Sequence, residues 1–357
     1  MHISPALLDE ATARGILQRD QSLALWRFFV EHQQAHAHQT PGFKPAHVLY
    51  YLGGMIAIGA MTLFMNLGWE RFAGAGLLAI SAAYGAMAVA LTEFFLRRKQ
   101  LALPAGICAV LAVSMVAMAV YAAQHALGLW PADDATHSAY RDYHTHIDWR
   151  WLLMELATLG AAAIALWRYR LPFLVLPVAV TLWYLSMDLT PFLLGGSSAN
   201  FFSDTGKRIS TGFGVAMLLL ALLVDLRTRS SKDFAFWLYV LGVMTFWGGL
   251  TSMNSNSEVG KFIYFCINLG LIAVGTALVR RVFAVFGGIG VAVYLGHLSH
   301  VVFKDSMLFP VALTAIGLAV IGAGVAWQRH ELRLGHWLRA MLPAAIRALV
   351  QRRVTIG

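Results

Sequence analysis

The chain has 357 residues, 59% of them hydrophobic and 13% charged, with a net charge of +9 and a mean hydropathy of +0.64. A soluble globular chain carries roughly 25% charged and about 45–50% apolar residues, so much of this surface must face something other than water. Disorder, collagen-like repeats and, with two cysteines, a disulfide scaffold are excluded, leaving an all-α, polytopic transmembrane helical bundle.

Residues 1–46 read as a cytosolic helical segment. Ser4-Pro5 offers a cap followed by proline at the first helical position, and Gly15 is a stop signal. Asp20 can cap a second helix with Leu23, Trp26, Phe29 and Val30 on one face. His32 and His36 are four apart, the spacing of a chelating pair, although a solvated polar end before the Pro41-Gly42 turn explains them as simply. No basic-then-apolar run with a small-residue cleavage site stands in this segment, so a cleaved leader is not expected.

The transmembrane domain spans 47–328. A bilayer core about 30 Å thick needs roughly 20 apolar residues per helix. Ten windows qualify: about 47–68, 72–96, 101–127, 151–168, 171–190, 208–226, 234–252, 261–279, 282–302 and 306–328. Period-2 alternation is absent, which favours helices over a barrel. Pro172 and Pro177 predict a kink or break in the fifth window. With ten spans and both termini cytoplasmic, twenty of the 27 basic residues fall inside and seven outside, as the positive-inside rule requires. The net charge is therefore a topology signal, and no nucleic-acid partner is expected. Cys108 and Cys266 lie within spans and read as small buried hydrophobes.

The longest outer loop, 128–150, contains Asp142, His144, His146 and Asp148. Imidazole and carboxylate are suitable ligands, and a His-x-His pair on extended chain can turn both rings toward one divalent metal ion. A merely polar loop is the alternative. Residues 329–357 form a basic amphipathic segment in which Leu334, Trp337, Leu338, Met341 and Leu342 recur at helical spacing beside Arg333, Arg339 and Arg347. Such a helix fits the interface of anionic lipid, or else docks a cytosolic protein.

Ionisable groups inside spans are costly and are functional hypotheses by default. Glu155, Asp188, His125, His297 and His300 could converge on the outer half of the bundle, with Asn268 deeper. That set suits a proton relay or a cavity for a polar solute; the plainer reading is that each bonds locally to a neighbouring helix. Glycines in the first, second and ninth windows, among them Gly53, Gly59, Gly74, Gly287, Gly288, Gly290 and Gly296, predict close helix contacts. No phosphate loop, nucleophile elbow, HExxH or kinase signature occurs, so no catalytic residue is assigned.

Two spans echo each other: Tyr51-Leu52-Gly53 leads to Asn66 and Glu70, and Tyr239-Val240-Leu241-Gly242 leads to Asn254 and Glu258. The preface with Leu17 and Trp26, the run Val48-Leu49-Tyr50-Tyr51-Leu52-Gly53-Gly54, and Asn66 with Trp69 resemble the bacterial "domain of unknown function 2157" membrane proteins, best over about residues 1–90. Asn268-Leu269-Gly270, Arg280-Arg281 and Gly287-Gly288 are similar to the repeated hairpins of that group. The resemblance implies a bacterial inner-membrane location and supplies no activity. Three functions fit the residues: a transporter or channel-like protein for a small solute or ion, a sensor or assembly protein coupling the outer loop to a cytosolic partner or a second copy, and a membrane enzyme acting on lipid-linked substrates.

Overall fold

The computed structural model describes residues 12–26, 45–129, 149–194, 203–228, 232–253 and 257–302, with isolated positions before and after these stretches. The described residues are helical and contain no strand. Residues 1–51 and 52–356 form two compact units. In the first, Gly15 has a φ of +73° and stops a short helical stretch. Residues 19–26 form the next helix, and the Gln21 side chain reaches back to accept from the Gln18 N–H at 3.1 Å. That is half of a capping box, so the cap is Gln18, and Asp20 stands inside the helix instead of opening it.

The first long helix, α1 (Pro45–Glu93), runs for 49 residues and continues as a π-helical turn over Phe94–Arg98. A straight run of that length would measure about 74 Å, but Gly54 stands against Ile107 while Gly74 stands against Ala122 and Ala126, so the run doubles back between Gly54 and Gly74. The first two sequence windows, 47–68 and 72–96, thus lie side by side along the next helix and not end to end. There follow α2 (Ala102–Ala126), α3 (Trp149–Tyr169), α4 (Val175–Leu194), α5 (Asp204–Arg227), α6 (Phe236–Ser252), α7 (Glu258–Leu278) and α8 (Arg281–Val302). Among the described residues six helical segments are long and apolar enough to cross a membrane, and two shorter apolar ones lie at 172–188 and 236–252. The chain is a helical, multi-pass membrane protein. The tenth window, 306–328, falls almost wholly outside the described residues.

The fifth window is not broken in its middle. Pro172 opens a 3₁₀ turn, Pro172–Leu174, and Pro177 is the third residue of α4. In a first turn the missing N–H has no intrahelical partner to lose. The α5 start is conventional: Ser203 caps it by accepting from the Gly206 N–H at 3.1 Å.

Successive helices run in opposite directions. One end of the bundle gathers Arg97, Arg168, Arg170, Arg227 and Arg280 and is called here the basic end. Connections at this end are tight, and three of them turn through left-handed residues that are not glycine: Gln100, Arg170 and Val279. Val279 is the costliest, since a β-branched residue at φ +55° brings Cβ against the carbonyl. Its side chain is 45% exposed, so little packing compensates. Val279→Gly is expected to raise unfolding stability by about 1 kcal/mol, read as a higher melting temperature in detergent. An unchanged or lower value would mean that the side chain holds the turn.

Helix α5 packs closely on α6, and α7 on α8. A Cβ on Gly214 would collide with the Phe246 backbone, and one on Gly249 with the Lys207 carbonyl and Thr211. Gly275 faces Ala284, while Gly287 and Gly290 face Asn268. Gly74 meets the backbone of Ala122 and Ala126, but Gly53, Gly59, Gly288 and Gly296 have nothing within 4 Å. The expected glycine contacts therefore hold at Gly54, which faces Ile107, and at Gly74, Gly287 and Gly290. The α5–α6 pair, which sequence reading did not single out, uses the same device. Apolar residues of α4, α5, α6, α7 and α8, among them Ala179, Met217, Tyr239, Leu271 and Phe283, form the main buried cluster.

Candidate functional site

On α3 the buried residues Glu155, Thr158 and Ala162 recur at i, i+3 and i+7, so they lie along one stripe. That stripe turns inward, and Glu155 is only 7% exposed. It stands six residues into the helix from Trp149, about 9 Å along the axis. Its carboxyl interacts with the carboxyl of Asp188 on α4. Two neighbouring carboxylates repel each other, and a proton or small cation shared between them would remove that repulsion. Oε2 of Glu155 is buried with no hydrogen-bond partner. Nearby hydroxyls are already used: Thr158 Oγ1 donates to the Met154 carbonyl at 2.7 Å and Ser186 Oγ to the Trp183 carbonyl at 2.6 Å.

At this same end of the bundle, opposite the basic one, Gln124 on α2 is buried. Its Nε2 donates to the Arg150 carbonyl at 3.2 Å, while its Oε1 is a second buried acceptor without a donor. His125 follows it, with its ring 6.3 Å from that of Tyr121. His297 on α8 meets a different carboxylate. Its Nε2 lies 3.8 Å from Glu258 Oε1, and Glu258 pairs with Lys261 at 2.7 Å. Among the described contacts, Glu155 and Asp188 come together and His297 meets Glu258, but no contact joins the two groups. His300 lies in α8, and its side chain is outside the described residues.

Asn268 is fully buried, and both ends of its amide are used. Nδ2 donates to the Tyr264 carbonyl at 2.8 Å, and Oδ1 accepts from Trp247 Nε1 at 3.1 Å. It ties α6 to α7 and leaves room only for glycine on α8. Asn268 therefore pins α6 to α7.

The most densely bonded polar group was not picked out from the sequence. Between α7 and α8, Arg280 makes a two-pronged ion pair with Asp233, one prong at 2.8 Å, and reaches Asp225 Oδ2 at 3.2 Å. Its guanidinium sits 4.8 Å from the centre of the Tyr239 ring, and the Tyr239 hydroxyl donates to Asp225 Oδ2 at 3.3 Å. The Arg280 and Asp225 side chains are 8% and 12% exposed. Burial works against the charged guanidinium, but the carboxylates of Asp233 and Asp225 outweigh it and hold Arg280 above its ordinary value. Nothing in the sequence pairs residues 47 and 55 positions apart; Arg280 read there as one more basic residue marking orientation. At the same end Arg168 on α3 donates to Glu93 of α1 at 3.0 Å, and Arg97 pairs with the same carboxylate.

Among the described residues no three His, Cys, Asp or Glu side chains lie close enough together to hold a metal ion. The Asp142, His144, His146 and Asp148 group lies outside the described residues, as do His32 and His36. Of the C-terminal amphipathic segment, residues 346–350 are helical and most of the rest lies outside the described residues. No family model, no curated protein and no solved structure matches the chain.

Proposed function

We propose that this protein is a membrane transporter for a small solute or ion, in which the Glu155–Asp188 pair binds and releases a proton or a small cation. The observation that carries the reading is the contact of two carboxyls on adjacent apolar helices, with one carboxylate oxygen buried and unpartnered. Ionisable groups are expensive in a membrane and persist there when they serve a path or a relay. A carboxyl pair exchanges a proton for a monovalent cation without changing its net charge, which suits coupled movement. In the same reading the basic end faces the cytoplasm, since Arg97, Arg168, Arg170, Arg227 and Arg280 cluster there. The resemblance noted above points to the same bacterial inner-membrane setting.

The test uses purified protein in liposomes loaded with a pH-sensitive dye. A sodium or potassium gradient should drive a pH change beyond that of empty vesicles. Glu155→Gln and Asp188→Asn should each slow it on the order of tenfold or more, with the melting temperature of the detergent-solubilised protein retained. Wild-type rates in both variants, or no flux above empty liposomes under either gradient, would remove the pair from this role.

A further inference from the structure

At the basic end a groove of about 690 Å³ opens between α3, α4, α5 and α6. Leu166, Val178, Leu220 and Val224 are among its apolar walls, and two cations, Arg170 and Lys232, line it with no acidic residue. A smaller hollow of about 270 Å³ adjoins it, sharing Trp167 and Arg170 and adding Arg168. The volume of the larger groove lies in the roughly 300–1,000 Å³ range of small-molecule sites. Arg170 reaches this position through a left-handed backbone, φ +49°, at a helix end where glycine is the usual residue. Its N–H still closes the helix on the Leu166 carbonyl at 2.9 Å.

The groove is an amphiphile's site in outline: hydrocarbon walls along the spans and positive charge where they end. We propose that it binds one phospholipid with an anionic headgroup, the acyl chains along Leu220 and Val224 and the phosphate between Arg170 and Lys232. Its flank decides between occupants. Leu220 is 39% exposed on a membrane-spanning helix and Trp167 is exposed beside it, so the wall faces hydrocarbon, where lipid is present and an aqueous protein partner is not. Tryptophan at a span end is the residue of the headgroup layer. The cations then choose among lipids, each basic residue near the surface favouring an anionic headgroup about fivefold.

The test titrates delipidated, detergent-purified full-length protein with phosphatidylglycerol or with phosphatidylcholine of the same acyl composition, reading melting temperature and bound lipid by native mass spectrometry. Phosphatidylglycerol should bind and stabilise more strongly. Arg170→Gln with Lys232→Gln should weaken that preference roughly 25-fold while leaving the phosphatidylcholine baseline unchanged. Should the double variant fold poorly, Leu220→Trp, which fills the groove and keeps both charges, should lower retention of the lipid by itself. Equal binding of the two lipids, an undiminished preference in a folded charge variant, or undiminished lipid retention in Leu220→Trp overturns the proposal. An equal shift from inorganic phosphate or glycerol phosphate overturns it too, by identifying a soluble anion as the ligand.

Discussion

Arg280→Ala is expected to lower unfolding stability by about 3–5 kcal/mol, the largest loss from any single charge in the described bundle. The substitution removes the cation from Asp225 and Asp233 together and strips the guanidinium from the Tyr239 ring. Asp225 is the costly remainder, because at 12% exposure its carboxylate cannot recover full hydration. Denaturant unfolding in detergent micelles gives the measurement. Two companions separate pair energy from the cost of an orphaned charge. Asp233→Asn should cost much less, since that side chain is half open to solvent. Arg280→Met with Asp225→Asn should regain most of the loss, as apolar replacement of a buried pair often does. A loss below about 1 kcal/mol for Arg280→Ala would mean that water reaches the network and screens it.

Gly214 and Gly212 make a matched contrast two residues apart on α5. Gly214 faces α6 so closely that an added Cβ meets backbone atoms of Phe246, which cannot rotate away. Gly214→Ala should therefore cost about 1–3 kcal/mol by forcing the helices apart, and Gly214→Leu should leave no folded protein. Gly212 has nothing within 4 Å of the same position, so Gly212→Ala should be neutral or stabilising by up to about 1 kcal/mol, because alanine is the better helix former. Melting temperatures of the three variants decide the matter. Equal behaviour of Gly214→Ala and Gly212→Ala would mean that α5 and α6 are not in close contact in the membrane.

Hydropathy made most of the helices readable because length and apolar content are local properties. Windows such as 101–127 and 234–252 lie within a residue or two of α2 and α6. The polar trio at 69–71 separates the first two windows, and the packing of both Gly54 and Gly74 on α2 agrees with a reversal between them. The meeting of Glu155 with Asp188 could be anticipated as two acids toward one end of neighbouring antiparallel spans. His297 meets Glu258 on the adjoining helix, a pairing that depth alone does not predict, because depth does not say which faces meet. The Arg280 network was invisible for a related reason. Asp225 and Arg280 each sit at a span end, where snorkelling to water explains a charge equally well, and only helix packing brings them under the Tyr239 ring.

The pairing of each helix with its neighbour along the chain has a consequence for biogenesis. Contacts within the α5–α6 and α7–α8 hairpins are close in sequence, and such low contact order favours rapid assembly as the chain is synthesised. The ion network does not follow that local pattern. Both its carboxylates belong to the α5–α6 hairpin, and the guanidinium that joins them emerges 47 residues after Asp233, once α7 has been made. The seam therefore closes only once α7 has been made, with Asn268 and Arg280 as polar ties between the later hairpin and the earlier one.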